Sequence, residues 1–173
     1  MKSIATLIFI IIAVISSYSQ EYFSSSVWNF KIQQLSEPFI IQDENNNFTA
    51  SFDLEDEGLM LLEIYPKDRK CKEDSVCLNN ALKAVIQDIV NQDPAEYAGL
   101  VEKNTSDNFK SGYSGLRTLY SNDRVYAMVD LYITDGYLYI LSVTTLNNPE
   151  KYYPYLNTFE FLEEAKEHGE RRH

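Results

Sequence analysis

Histidine is nearly missing from this chain. Its two histidines, His168 and His173, both fall within the last six of 173 residues. That excludes a Ser-His-Asp or Cys-His arrangement in the folded region, along with the usual histidine-based zinc sites. Glycine is scarce too, with six in the chain, and no G-x-G-x-x-G or phosphate-loop pattern occurs. An enzyme built here would have to work with carboxylates, tyrosine or lysine alone, and no metal or cofactor is expected. Lysine and arginine total 15 against 26 aspartates and glutamates, a net charge of −11. So acidic a chain repels nucleic acid and anionic membranes, and no basic stripe offsets it. Acidity otherwise favours solubility.

Cysteine is limited to Cys71 and Cys77. Their C-x5-C spacing differs from the C-x-x-C of redox-active pairs. If the protein is exported, a disulfide is chemically permitted, and its small loop predicts only ~2 kcal/mol of stabilisation. The alternative is two free thiols that are neighbours in sequence.

The first 19 residues read as a secretory signal. Lys2 supplies the positive end, Ile4 to Ile15 the apolar run, and Ser17-Tyr18-Ser19 the small residues for cleavage before Gln20. Loss of Lys2 takes the net charge from −11 to −12. The competing reading is an uncleaved anchor, for which the apolar run is short. No later segment is apolar enough to span a bilayer, so no stable membrane insertion is expected after cleavage. The predicted location is periplasmic or secreted.

The most informative stretch runs from Gly112 to Val143. Three strand-like runs are separated by Ser121-Asn122-Asp123-Arg124 and by Asp135-Gly136. Asp-Gly between alternating apolar runs predicts a hairpin with a type I′ turn, whose centres both take positive φ. Facing Thr134 with Tyr137 sets the register. Ile133, Leu131 and Val129 then oppose Leu138, Ile140 and Ser142 on one face. Tyr132, Asp130 and Met128 oppose Tyr139, Leu141 and Val143 on the other. Both faces are apolar or aromatic, which predicts a strand pair covered on both sides.

Elsewhere, 20–26 reads as a flexible lead-in and 27–162 as one domain, followed by a charged tail over 163–173. Val27 to Ile32 predicts a first strand, and Phe39-Ile40-Ile41 a short run after Pro38. Phe48 to Leu54 and Leu59 to Tyr65 predict an antiparallel hairpin. Leu78, Leu82, Val85 and Ile89 recur at helical spacing, predicting a helix over 75–92 that Asp93-Pro94 closes. Tyr97 to Lys103 reads as a strand and Asn104 to Asn108 as a turn. Pro149 suits the first turn of a second helix, which Pro154 shortens or breaks. Both helices should pack on the sheet.

Three carboxylates fall on predicted strands: Glu63, Glu102 and Asp130. A pair flanking a cleft could hydrolyse glycosides, but no spacing brings two together. Asp130, among Met128, Tyr132 and Leu141, is more simply a hydrogen-bond partner of a tyrosine hydroxyl. Asp43 to Asn47 begins like a calcium loop, but Phe48 and Leu54 occupy the positions needing glycine and glutamate. Asn47-Phe48-Thr49 and Asn104-Thr105-Ser106 match the glycosylation pattern, which matters only in a eukaryotic source. Tyr126, Tyr132, Tyr137 and Tyr139 share one face of the central hairpin and form the candidate ligand or partner surface. The simpler alternative is that the C-terminal helix covers them.

Gly115 opening a strand, Gly136-Tyr137-Leu138-Tyr139-Ile140-Leu141 as another, a helix, and then Thr158-Phe159-Glu160-Phe161 resemble PsbP-like domains. These are the extrinsic photosystem II subunit family and its relatives, including the Ran-binding Mog-type proteins. Thr158-Phe159 stands where the family usually has Ser-Phe, and Trp28 lies far upstream of Tyr65-Pro66. The resemblance spans about residues 48–162 and implies an α+β fold, a central antiparallel sheet flanked by helices as an α/β/α sandwich. It also implies a non-catalytic, protein-binding domain, without assigning binding residues. The expectation is an exported, non-enzymatic domain that binds an extracytoplasmic or envelope protein of unknown identity. A small-molecule or glycan module on the tyrosine face and a carboxylate hydrolase are the alternatives.

Overall fold

A computed structural model describes residues 21–43, 47–54, 58–67 and 73–162. The stretch expected to be a signal peptide, the charged tail and Cys71 lie outside the described residues. The strands are β1 (Tyr22–Ser25), β2 (Phe30–Gln33), β3 (Phe39–Gln42), β4 (Phe48–Asp53), β5 (Leu59–Pro66), β6 (Val101–Asp107), β7 (Ser114–Ser121), β8 (Tyr126–Ile133), β9 (Tyr137–Thr145) and β10 (Glu160–Phe161). The helices are α1 (Asp74–Gln92), α2 (Pro94–Tyr97) and α3 (Tyr153–Asn157), with a 3-10 turn over Pro149–Tyr152 leading into α3.

Seven strands form an antiparallel sheet in the order β3-β4-β5-β9-β8-β7-β6. The β8–β9 register is the predicted one at every pair from Met128↔Val143 to Ile133↔Leu138. Its turn is not type I′, because neither Asp135 nor Gly136 has positive φ. The Thr134 hydroxyl takes over part of the closure. Thr134 N–H donates to Tyr137 O at 2.9 Å, while Tyr137 N–H donates to Thr134 Oγ1 at 3.1 Å. The backbone that a type I′ turn needs occurs instead at Ser111 (φ 52°) and Gly112 (φ 84°). They join Lys110 to Tyr113, whose amides and carbonyls bond reciprocally.

α1 covers one sheet face because its apolar stripe is continuous. Cys77, Leu78, Leu82, Val85 and Ile89 are buried against Ala127, Val129, Leu131, Ile133 and Ile140. The other face carries the larger aromatic core. Trp28, Phe30, Phe159 and Phe161 pack there on Phe48, Tyr132 and Tyr139. Its cover is shared between a three-stranded sheet, β1-β2-β10, and the Pro149–Asn157 helical segment. The expected helix is broken there, with Pro149 first in the 3-10 turn and Pro154 second in α3.

Three local expectations are corrected. The strand expected over Val27 to Ile32 begins only at Phe30, after a turn that leaves Val27 exposed and Asn29 at φ 52°. Tyr22–Ser25, read as lead-in, is a strand paired with β2, and it sets Phe23 against Phe30, Phe48 and Phe52. Tyr97 to Lys103 splits between α2 and β6, and Asn104 to Asp107 is strand, not turn. Asp93 causes the split, since its Oδ1 accepts the Ala95 and Glu96 N–H groups and starts α2.

Candidate functional site

The four tyrosines lie on one face, as the alternation requires, but that face is not open. Tyr132 is fully buried and Tyr139 is 1 % exposed, while Tyr126 and Tyr137 are half-buried. Phe159 stacks on Tyr132 at 5.4 Å, and Phe161 meets the edge of Tyr139 at 5.0 Å. The hydroxyls are bonded inside the protein. Tyr139 Oη donates to Trp28 O at 2.9 Å, and Tyr132 Oη accepts from Asn108 Nδ2 at 2.7 Å. Burial pushes the Tyr139 hydroxyl up to about 12 and raises that of Tyr132 as well. An apolar body under a sheet with a bonded polar tip is a core role for Tyr132 and Tyr139. The open, concave tyrosine face that a glycan or small ligand would need is therefore not formed by these two side chains.

Asp130 does meet a tyrosine, with Tyr132 Oη donating to its Oδ2 at 3.3 Å. Its principal partner is Arg117, which sequence reasoning missed. Arg117 Nε donates to Oδ1 at 2.6 Å and Nη2 to Oδ2 at 2.5 Å, a bidentate pair. Extending the β7–β8 register from the Ser121–Arg124 turn would have placed Arg117 opposite Asp130, as observed. Burial opposes the guanidinium charge, yet the hydrogen bonds and charge of Asp130 outweigh it and hold Arg117 protonated. The network continues to the C-terminal segment. Arg117 Nη1 donates to Asn157 Oδ1 at 3.0 Å, and its guanidinium lies 5.3 Å from the Tyr153 ring centre. Lys110 Nζ donates to the carbonyls of Asn157 and Phe159. Both Asp130 oxygens are engaged, so this carboxylate holds Arg117 against the Tyr153–Asn157 helix and is not presented to a substrate.

The three strand carboxylates do not converge. Asp130 faces the aromatic core, whereas Glu63 sits on the opposite face, in the cross-strand row with Thr49 and Ile140. Glu102 is on β6, four strands from β5, or ~19 Å at ordinary strand spacing. No cluster of three or more His, Cys, Asp or Glu suited to a metal occurs among the described residues. At the would-be calcium loop, the Asp43 side chain instead accepts from Asn47 N–H and Nδ2.

The least satisfied surface is an edge of the large sheet. All four residues of β3 are exposed, with Phe39 at 68 %, Ile40 at 48 % and Ile41 at 54 %. The register determines which backbone groups point away from the described sheet. Leu54 N–H bonds Gly58 O, which places the even residues of β4 toward β5 and its odd residues toward β3. Asp43 N–H bonds Asn47 O in the same alternation, so Phe39 and Ile41 face β4. Ile40 and Gln42 therefore direct both N–H and C=O away from the sheet. At the start of β3, Glu21, Gln34, Leu35, Ser36 and Glu37 line an open hollow of about 490 Å³. The opposite edge, β6, is blunted. It carries Glu102, Lys103 and Asp107 and is bulged between Glu102 and Asn104.

No family model matches the chain, and no curated protein matches it. Solved structures do resemble it, among them the following two. A crystal structure of a protein from Bacteroides thetaiotaomicron has TM-score 0.42 and 14 % identity over 85 % of this chain, which spans half the length of that one. The solution structure of cyanobacterial PsbP (CyanoP) from Synechocystis covers 83 % of this chain and 92 % of its own, with TM-score 0.61 and 8 % identity. The match extends over nearly all of that structure, and the chain has a PsbP-like α+β fold.

Proposed function

We propose that the protein is an exported, non-catalytic domain that binds another extracytoplasmic or envelope protein. The single observation that carries this reading is the contrast between the two edges of the large sheet. β6 carries charges and a bulge, the ordinary devices against unwanted pairing, whereas β3 exposes Phe39, Ile40 and Ile41 without either. An edge left in this state suits association more than solvation. Export is supported by the leader over 1–19, and no described helix is long and apolar enough to cross a membrane. The layers fit an α/β/α sandwich in which the three-stranded sheet shares the second cover. A non-catalytic role is supported by the internal use of Asp130 and by the separation of Glu63 from Glu102.

The test is capture followed by reconstitution. Tagged protein is exposed to the extracytoplasmic fraction of its source, and any retained protein is purified and rebound. A saturable complex of the two purified proteins is the expected result. If nothing captured rebinds in purified form, the reading is overturned.

A further inference from the structure

We infer that the β3 edge accepts an extended segment of a partner protein as an added strand, and that a basic residue flanks the apolar centre of that segment at its Glu37 end. This rests on the protein-binding reading above and deepens it to a mode of contact and a partner chemistry.

Backbone geometry defines the mode. Ile40 and Gln42 each offer an outward N–H and C=O, and Pro38, in the same alternation, offers a carbonyl but no N–H. Among the described residues the unpaired ladder thus starts at Pro38 and spans to Gln42, enough for a short added strand. The side chains define the centre of the partner. Phe39 and Ile41 project on one face and Ile40 on the other, all exposed, so apolar residues of the incoming strand have neighbours on both faces.

Charge defines one end. Glu37 precedes β3 and is exposed, whereas the Asp43 carboxylate that follows β3 already accepts from Asn47 N–H and Nδ2. The Glu37 end is the more acidic. Glu21 shares its hollow, and the Ser36 hydroxyl there finds no hydrogen-bond partner among the described residues. A lysine or arginine of the added strand at this end would meet a carboxylate. A second copy of this chain is the wrong occupant. An antiparallel β3–β3 pair centred on Ile41 would bring the acidic ends of the two copies together, each copy carrying −11 overall.

The experiment uses a synthetic peptide, Lys-Val-Thr-Val-Thr-Val-Lys with capped ends, read by calorimetry and by amide hydrogen exchange of the intact protein. The expected result is saturable one-to-one binding, with exchange slowed at the Ile40 and Gln42 amides. Ile40→Pro removes an outward N–H without removing a β3–β4 bond, and should weaken binding at least tenfold. A Glu21→Gln/Glu37→Gln variant should also bind more weakly and with less salt dependence. A peptide N-methylated on the amides that face β3 leaves the protein untouched and should not bind, so the test survives if Ile40→Pro does not fold. No binding, or binding without protection at Ile40 and Gln42, overturns the inference. So does a concentration-dependent dimer of the protein alone that protects those two amides. If a reconstituted partner binds Ile40→Pro as tightly as wild type, the edge assignment fails while the protein-binding reading stands.

Discussion

Gly115 lies directly across from Tyr132 in the β7–β8 ladder, and the tyrosine ring occupies the space a side chain would need. A Cβ on Gly115 would stand 2.6 Å from Tyr132 Cδ1, and closer than 3 Å to the carbonyl oxygens of Asn108 and Leu131. Two of those three neighbours are backbone and cannot turn aside. Gly115→Ala should therefore destabilise the protein by about 1–3 kcal/mol, the usual range for overpacking. Urea denaturation would check this. A variant as stable as wild type would mean that β7 shifts freely over Tyr132.

The Arg117–Asp130 pair predicts an asymmetry. Asp130 is fully buried, while the Arg117 side chain keeps 21 % of its exposure. Arg117→Met leaves a buried carboxylate without its bidentate partner, which should cost about 3–5 kcal/mol. Removing both charges, as Arg117→Met/Asp130→Leu, should recover much of that loss, because the unpaired charge is the main cost. Folding free energies of the two variants measured side by side decide the point. If the double variant is no more stable than the single one, lost packing against Tyr153 and Asn157 outweighs the charge.

The register of β8 and β9 was legible in the sequence because both faces alternate over six consecutive pairs, and a one-residue slip would have exchanged the two faces. The α1 stripe was legible for the corresponding reason at helical period. The turn type was not, because Thr134 supplies a side-chain acceptor that substitutes for a backbone geometry. β1 escaped notice because four residues with one inward phenylalanine, Phe23, do not make a periodic signal. Nor could local pattern reveal that β3 is an edge. That depends on β5 pairing with the distant β9, a contact set by tertiary structure. The tyrosine face divides: Tyr126 and Tyr137 stay half-buried, while Tyr132 and Tyr139 are covered from the C-terminal segment, in line with the simpler alternative. Alternation placed Tyr132 and Tyr139 on one face correctly, but what covers that face, Phe159 and Phe161, returns from the end of the chain.

Cys77 is buried on the first turn of α1, packed with the helix stripe. A bond to Cys71 would fasten the preceding loop to that turn. We expect the exported protein to resist alkylation until it is both unfolded and reduced, then to gain two adducts by mass spectrometry. Reduction should lower stability by about 2 kcal/mol, in keeping with so small a loop. Two adducts from unfolded but unreduced protein would rule the bond out.

Glu63 gives stability a pH dependence of known sign. Burial raises its pKa above the ordinary value of 4.5; the hydrogen bond from Tyr65 Oη, at 2.7 Å, opposes this, and the charge of Asp88 adds to it. The folded state therefore holds this proton more tightly than the unfolded chain. From about pH 4.5 up to the raised value, the folded form carries more of it, so this residue's contribution to stability falls as pH rises. Glu63→Gln retains an acceptor for Tyr65 and removes the buried charge. It should match wild type well below pH 4.5 and become the more stable of the two by pH 8. Denaturation at both pH values supplies the comparison, and other carboxylates cancel because they are common to both proteins. A Gln variant that is less stable at pH 8 would mean that the ionised carboxylate gains more from Tyr65 than it loses by leaving water.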